Sequence, residues 1–180
     1  MPDNSTTTDA QALLDNGTGH WTLDPAGSSV RFHVKHFWGM ITVHGRFEKL
    51  DGEGTVNPDG TVSGRVTIDA TSLTTKNRKR DKHLRSADFF DVEHHPTVIV
   101  TLDALTPDGR QGFRSRVSLE AAGRHADLQP TIDVVSATND AVVIHSEAVV
   151  DRTLFDMTWS PLGMTSSQAR GEVTARFVRR

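Results

Sequence analysis

The chain contains no cysteine in its 180 residues. Disulfides, thiolate nucleophiles and cysteine-held metals are therefore excluded, which suits the cytoplasmic address that residues 1–19 lead one to expect. It also lacks any apolar run near the ~20 residues that a membrane-spanning helix needs. An excess of either charge is missing too: 20 Lys and Arg against 23 Asp and Glu leave a formal net charge of −3, unlike the basic domains that grip nucleic acid. Residues 1–19 have neither the basic opening nor the apolar stretch of a secretory signal. Their Asp, Asn, Ser and Thr content reads as a disordered tail ahead of one domain over residues 20–180, long enough to bury a core of its own. No nucleophile elbow, phosphate loop or metal-ligand spacing is present, so no catalytic residue, cofactor or metal is assigned.

What the chain does have is alternation. Val30, Phe32, Val34 and His36 share one face of residues 29–36, with Arg31, His33 and Lys35 on the other. Successive strand side chains point to opposite faces, so this period of two marks a half-buried strand. The same stripe recurs at Ile41, Val43, Gly45 and Phe47, and at Val62, Gly64, Val66 and Ile68. It returns at Val98, Val100 and Leu102, and at Val117, Leu119 and Ala121. Leu128, Pro130, Ile132 and Val134 continue it, followed by Val142, Ile144, Ser146 and Ala148, and finally Val173, Ala175 and Phe177. That makes about eight strands, enough for a small closed barrel, although a sandwich would alternate in the same way. Asn57-Pro58-Asp59-Gly60 and Thr106-Pro107-Asp108-Gly109 are near-copies. Proline presets the first turn dihedral and glycine accepts positive φ, so both read as tight turns between antiparallel neighbours.

One segment breaks the pattern. Lys76 to Arg85 is charged and helical in character, and it leads through Asp88 into Phe89-Phe90 and Pro96. Lys76, Arg78, Lys79, Arg80, Lys82 and Arg85 lie within these ten residues, with Asp81 as the one acid. Such a run is either a solvated helix face or a positive rim for an anionic group. Phe155, Met157 and Trp159 alternate with Asp156 and Thr158 and are expected on one strand face, as core packing or as an adaptable apolar surface. Trp38 and Met40 are placed in the same region. His33 and His36 are three apart and so fall on opposite strand faces, unable to share an ion without a bulge. His36 lies on the apolar face, where it is either a hydrogen-bonded core histidine or a polar contact to a ligand.

Several segments in order resemble the YceI-like family, lipocalin-like barrels that bind polyisoprenoid lipids. They are Trp21-Thr22-Leu23-Asp24-Pro25 with Ser28 to His36, then Val43-His44-Gly45-Arg46-Phe47, Ile68 to Thr75, and, most distinctively, Arg80 to Pro96. Arg152 to Met157 is similar to the family's Arg-x-x-Phe-Gly-x motif, with Asp156 in place of the usual glycine. The resemblance covers residues 20 to 178. It implies a mainly β fold, an antiparallel lipocalin-like barrel with a short helical segment between strands. It further implies an isoprenoid lipid ligand in an elongated apolar channel, bound without catalysis for sequestration or transport. The channel would be lined by Phe32, Val34, His36, Trp38, Phe47, Val66, Ile68, Phe89, Val98, Val100, Leu119, Ile144, Phe155, Met157, Trp159 and Phe177, with Arg78 and Arg80 at a headgroup. Two readings stay beside it: an isomerase- or cyclase-type enzyme using His36 in the same pocket, and a barrel filled by its own side chains. A homodimer is left open.

Overall fold

The computed structural model describes residues 13–108 and 112–180. Most of the tail expected over residues 1–19 lies outside these; within its last part, residues 13–16 are helical and the first strand starts at Gly19. The rest is the antiparallel barrel, and its strands are broken more often than the alternation alone predicts.

The first long strand consists of β1 (Gly19–Leu23) and β2 (Ser29–His36), and the second of β3 (Ile41–Phe47) and β4 (Leu50–Val56). The third consists of β5 (Val62–Asp69) and β6 (Leu73–Thr74); β7 (Thr97–Pro107) and β8 (Gly112–Ala121) follow. β9 (Arg124–Leu128) and β10 (Thr131–Ala137) share the sixth, and β11 (Ala141–Asp151) and β12 (Gln168–Arg179) complete the set. Each pairs antiparallel with its sequence neighbour. The ring closes where β12 meets the first strand: Trp21 stands opposite Arg179 on one side and Gly54 on the other. Twelve segments thus make an eight-membered up-and-down barrel.

The breaks have local causes. Asp24 accepts from the Ala26 N–H and Asp69 from the Thr71 N–H, each capping a single 3-10 turn at a strand corner. The Ser72 hydroxyl accepts from the N–H groups of Glu48 and Lys49, both at 3.0 Å, so the β3–β4 and β5–β6 corners bend together. The strand expected through residues 128–134 is interrupted at Pro130, which has no N–H to give the ladder. A bulge between Leu102 and Ala104 shifts the side-chain parity of β7.

The turns sort to two ends. At the base lie Asn57–Thr61, closed by Asn57 N–H to Thr61 O at 2.8 Å with Gly60 at φ 81°, and the hairpin from Thr138 to Ala141. The turn expected at Gly109 lies outside the described residues. At the opposite rim lie the 37–40 turn, the segment 75–96 with its single α-helix α1 (Arg78–Leu84), and the loop 152–167.

Candidate ligand-binding site

Inside the barrel is a hollow of about 870 Å³. A plugged barrel of this size would bury its inward side chains completely. Here Phe32, Val34, Val66, Val100, Ile144 and Phe177 point inward yet stay only half-buried, because the space in front of them is empty. Among the described residues, Phe113 and Leu73 are the only large side chains buried to below 2% exposure. Small inward residues leave the room. Gly54 and Gly64 face each other across β4 and β5, and Ser146, Ala148, Gly171 and Ala175 line the wall of β11 and β12.

The base is closed. Trp21 is buried with Val56 and Val142, and Leu13 packs against them. Its indole N–H donates to Gly17 O at 2.8 Å, and the Arg179 guanidinium sits 5.0 Å from its ring centroid. The residues just ahead of β1 therefore strap this end shut.

The rim is built from the interruption in the pattern. Asn77 caps α1 by accepting from the Arg80 N–H at 3.0 Å. Asp81 is buried and turned inward, accepting from the Thr75 N–H at 2.7 Å and from the Thr75 and Thr74 hydroxyls. Burial alone would push the Asp81 carboxyl up. The hydrogen bonds from Thr75 and Thr74 and the Arg85 charge outweigh that and hold it below the ordinary carboxylate value. Arg80 binds the Thr75 hydroxyl at 2.8 Å and the Thr75 carbonyl at 3.2 Å, and Arg85 binds Leu73 O. Two of the bases thus fasten the helix to β6, and α1 is more than a solvated face. Beyond it, Phe89 is buried against the barrel, and Phe90 stacks edge-on to Phe47 at 5.6 Å.

Across the mouth, the 152–157 segment is a 3-10 turn and loop, not the strand expected there. Asp151 caps the turn by accepting from Thr153. Asp156 then takes the left-handed conformation (φ 59°, ψ 13°) that glycine ordinarily supplies. Asp tolerates this region better than most residues, and its carboxylate pairs with Arg124 at 2.6 Å. Arg152 is buried and donates only to backbone carbonyls: Ser166 O at 2.7 Å, Thr165 O at 3.3 Å, and Met157 O. Burial pulls its pKa down, opposed by Asp151, and it remains a cation. Its role is to cinch the loop. Phe155, Met157 and Trp159 nevertheless all face the hollow.

Of the residues expected to line a channel, all but Trp38 border the hollow. The wall carries Phe32, Val34 and His36 from β2, Phe47 from β3, and Val66 and Ile68 from β5. Val98 and Val100 come from β7, Leu119 from β8, Ile144 from β11 and Phe177 from β12. Trp38 sits in the turn after β2, where the alternation ends, and points to solvent; its neighbour Phe37 faces the hollow instead. Of the two bases expected at a headgroup, Arg80 lines the hollow and Arg78 does not, because Arg78 opens the helix on its exposed side; Lys79 and His83 join Arg80. His36 faces in and shares a 2.7 Å hydrogen bond with the Thr165 hydroxyl, whereas His33 faces out to His44. Phe113 escaped the sequence reading because Ser115, buried on the same strand face and donating to Pro130 O, interrupts the apolar stripe. Extending the odd-numbered face of Val117 and Leu119 back by two steps would have found it.

Fold and cavity together define a hollow antiparallel barrel with an apolar interior, a sealed base and a mouth bordered by Lys79, Arg80, His83 and His36. Residues 21–178 match the YceI-like domain family, and the chain belongs to it. A UPF0312 protein of Staphylococcus aureus is 35% identical over 89 residues, covering 48% of this chain and 52% of that protein. One of Vibrio cholerae is 29% identical over 124 residues, covering 67% of this chain and 65% of that protein. The chain thus spans about half the length of the staphylococcal relatives it matches. Burkholderia cenocepacia BcnA shares the fold with a TM-score of 0.77 at 16% identity, over 86% of this chain and 98% of that one. A polyisoprenoid binding domain from Saccharophagus degradans does so at 0.74 and 14%, over 89% and 98%.

Proposed function

We propose that this protein binds a long-chain isoprenoid lipid in the barrel and carries or sequesters it without altering it. The apolar hollow of about 870 Å³ carries the reading, and the polyisoprenoid binding domain with the same fold supports it. If each non-hydrogen atom takes the ~30 Å³ of a liquid water, the hollow holds roughly 29 atoms, or about six five-carbon units. Each unit buries about five methylene-sized groups at ~0.8 kcal/mol apiece, less the entropy of ordering the chain. Affinity therefore climbs with chain length and levels off near six units. The tail lies toward Trp21, and the head stays at the rim beside Lys79, Arg80, His83 and His36.

Solvent extraction of the purified protein followed by mass spectrometry tests this. An intact isoprenoid near one per barrel is expected, with Trp159 fluorescence responding to added polyprenols. Recovery of no lipid, together with no response to any polyprenol length, overturns it. A lipid chemically changed only when His36 is present makes the protein an enzyme instead.

A further inference from the structure

The large hydrophobic side chains that the barrel exposes are not scattered. Among the described residues, all of the strongly exposed ones except Val135 and Val149 lie in residues 37–41 or 154–162, at the rim. Trp38 is 67% exposed, Met40 78% and Leu162 85%. They belong to one surface. The Trp38 N–H donates to Met164 O at 3.2 Å and the Ser166 N–H to Lys35 O at 2.9 Å, tying the 37–40 turn to the 160–164 loop. His83 of α1 meets the Trp159 ring edge-on at 4.6 Å, tying the helix to the same loop. Phe37, Trp159 and Lys79 all border the hollow, so this surface surrounds its mouth.

The turn holds Trp38 outward, and Phe37 at the mouth, against local preference. Phe37 and Trp38 both have positive φ, at 49° and 53°, where bulky side chains crowd their own backbone. Asparagine and glycine are the usual occupants of such a turn. Charge at the rim completes the pattern. Lys35, Lys76, Arg78, Lys79 and Lys82 are exposed and make no ion pair among the described residues. Of the rim acids, Asp88, Asp91 and Asp156 are paired with His83, His94 and Arg124, which leaves Glu93 as one exposed acid against five exposed bases in these segments. Protruding apolar tips among unpaired bases fit one partner chemistry, an anionic lipid bilayer, with the tips below the headgroups and the bases level with them.

We propose that the barrel docks by this rim on an anionic membrane surface, with Trp38, Met40 and Leu162 inserted and Lys35 and Lys79 among the headgroups, so that the cavity mouth opens onto the lipid. The docking stands on surface residues and holds whatever the cavity carries. Vesicles of phosphatidylcholine with about a third phosphatidylglycerol, against pure phosphatidylcholine, are the probe, read by co-sedimentation and by the blue shift of Trp38 emission. Wild type binds the anionic vesicles. Replacing Lys35 and Lys79 by glutamine weakens that binding about 30-fold, at ~1 kcal/mol per base near such a surface. The triple variant Trp38→Asn, Met40→Ser, Leu162→Ser weakens it roughly tenfold or more, while Val135→Ser, near the base of the barrel, leaves it unchanged. Asn suits the left-handed position of Trp38, and a thermal melt verifies that the triple variant folds. Wild type that ignores anionic vesicles overturns the proposal, as does a folded triple variant that binds like wild type. A rim variant that splits a dimer while wild type binds no vesicle makes the rim an interface between two copies, and also overturns it. None of these outcomes depends on the lipid recovered by solvent extraction.

Discussion

Replacing Gly64 by phenylalanine separates the cavity from the fold. Gly64 faces Gly54 across β4 and Leu102 across β7, and it borders the hollow. A Cβ built there would meet Glu53 O at 3.4 Å, the Gly54 Cα at 3.8 Å and the Leu102 Cβ at 3.9 Å, all ordinary contacts. The new ring therefore enters empty space. About seven added carbons occupy roughly 210 Å³ at ~30 Å³ each, which displaces about 1.4 five-carbon units of a ligand. The gross burial lost is ~5 kcal/mol. The ordering entropy no longer spent on those units offsets part of it, leaving at least ~2 kcal/mol, or about 30-fold in affinity. The fold does not suffer. Glycine in a strand interior is worth roughly 0.5–1 kcal/mol less than alanine, so the variant is at least as stable as wild type. The assay is a titration with polyprenols of increasing length, followed by Trp159 emission, alongside a urea midpoint. The expected result is a plateau moved from near six units to between four and five, with an equal or higher midpoint. If the folded variant binds a six-unit chain as tightly as wild type does, the lipid does not lie in the barrel.

The remaining predictions concern what holds the walls and rim. Gly45→Ala places a Cβ 2.1 Å from the Phe32 ring, so it lowers the urea midpoint by the equivalent of about 1–3 kcal/mol. Adding Phe32→Ala recovers part of the Gly45→Ala loss in a double-mutant cycle, and strict additivity would refute the contact. Arg152→Ala leaves Ser166 O and Met157 O without their donor and Thr165 O with the Ser160 hydroxyl alone, and costs roughly 3 kcal/mol or more by urea unfolding. Arg152→Lys falls between because an ammonium cannot span all three; an unchanged midpoint in Arg152→Ala would refute the cinching role. The Asp81 carboxyl is held below its ordinary value of about 3.8, so its stabilisation is full above about pH 4 and is lost as pH falls through the folded value. The difference in urea midpoint between wild type and Asp81→Asn should therefore be widest near neutral pH and shrink in acid. A pH-independent difference would contradict the assignment.

Much of the barrel was legible because its interior stripe obeys a period of two. Val30 to His36, Val62 to Ile68 and Val142 to Ala148 face the hollow as their alternation required. The Arg80 to Pro96 segment was legible as the place where alternation stops, and it forms the rim. Phe155, Met157 and Trp159 were brought to the cavity for a reason the spacing did not contain. They ride on a 3-10 turn capped by Asp151 and on a loop cinched by Arg152, with Asp156 in a conformation usually reserved for glycine. Trp38 was misplaced because a turn obeys no period.

The sequence by itself determined that the strands are antiparallel, that one face of each is apolar, and that no cysteine chemistry enters, since these follow from residue type and nearest-neighbour spacing. It could not tell a hollow interior from a filled one. That depends on which inward positions of non-adjacent strands meet across the barrel, and only their three-dimensional arrangement sets Gly54 and Gly64 beside one another and across from the small wall of β11 and β12. Emptiness is a property of what several distant side chains together fail to fill, and no local pattern records it.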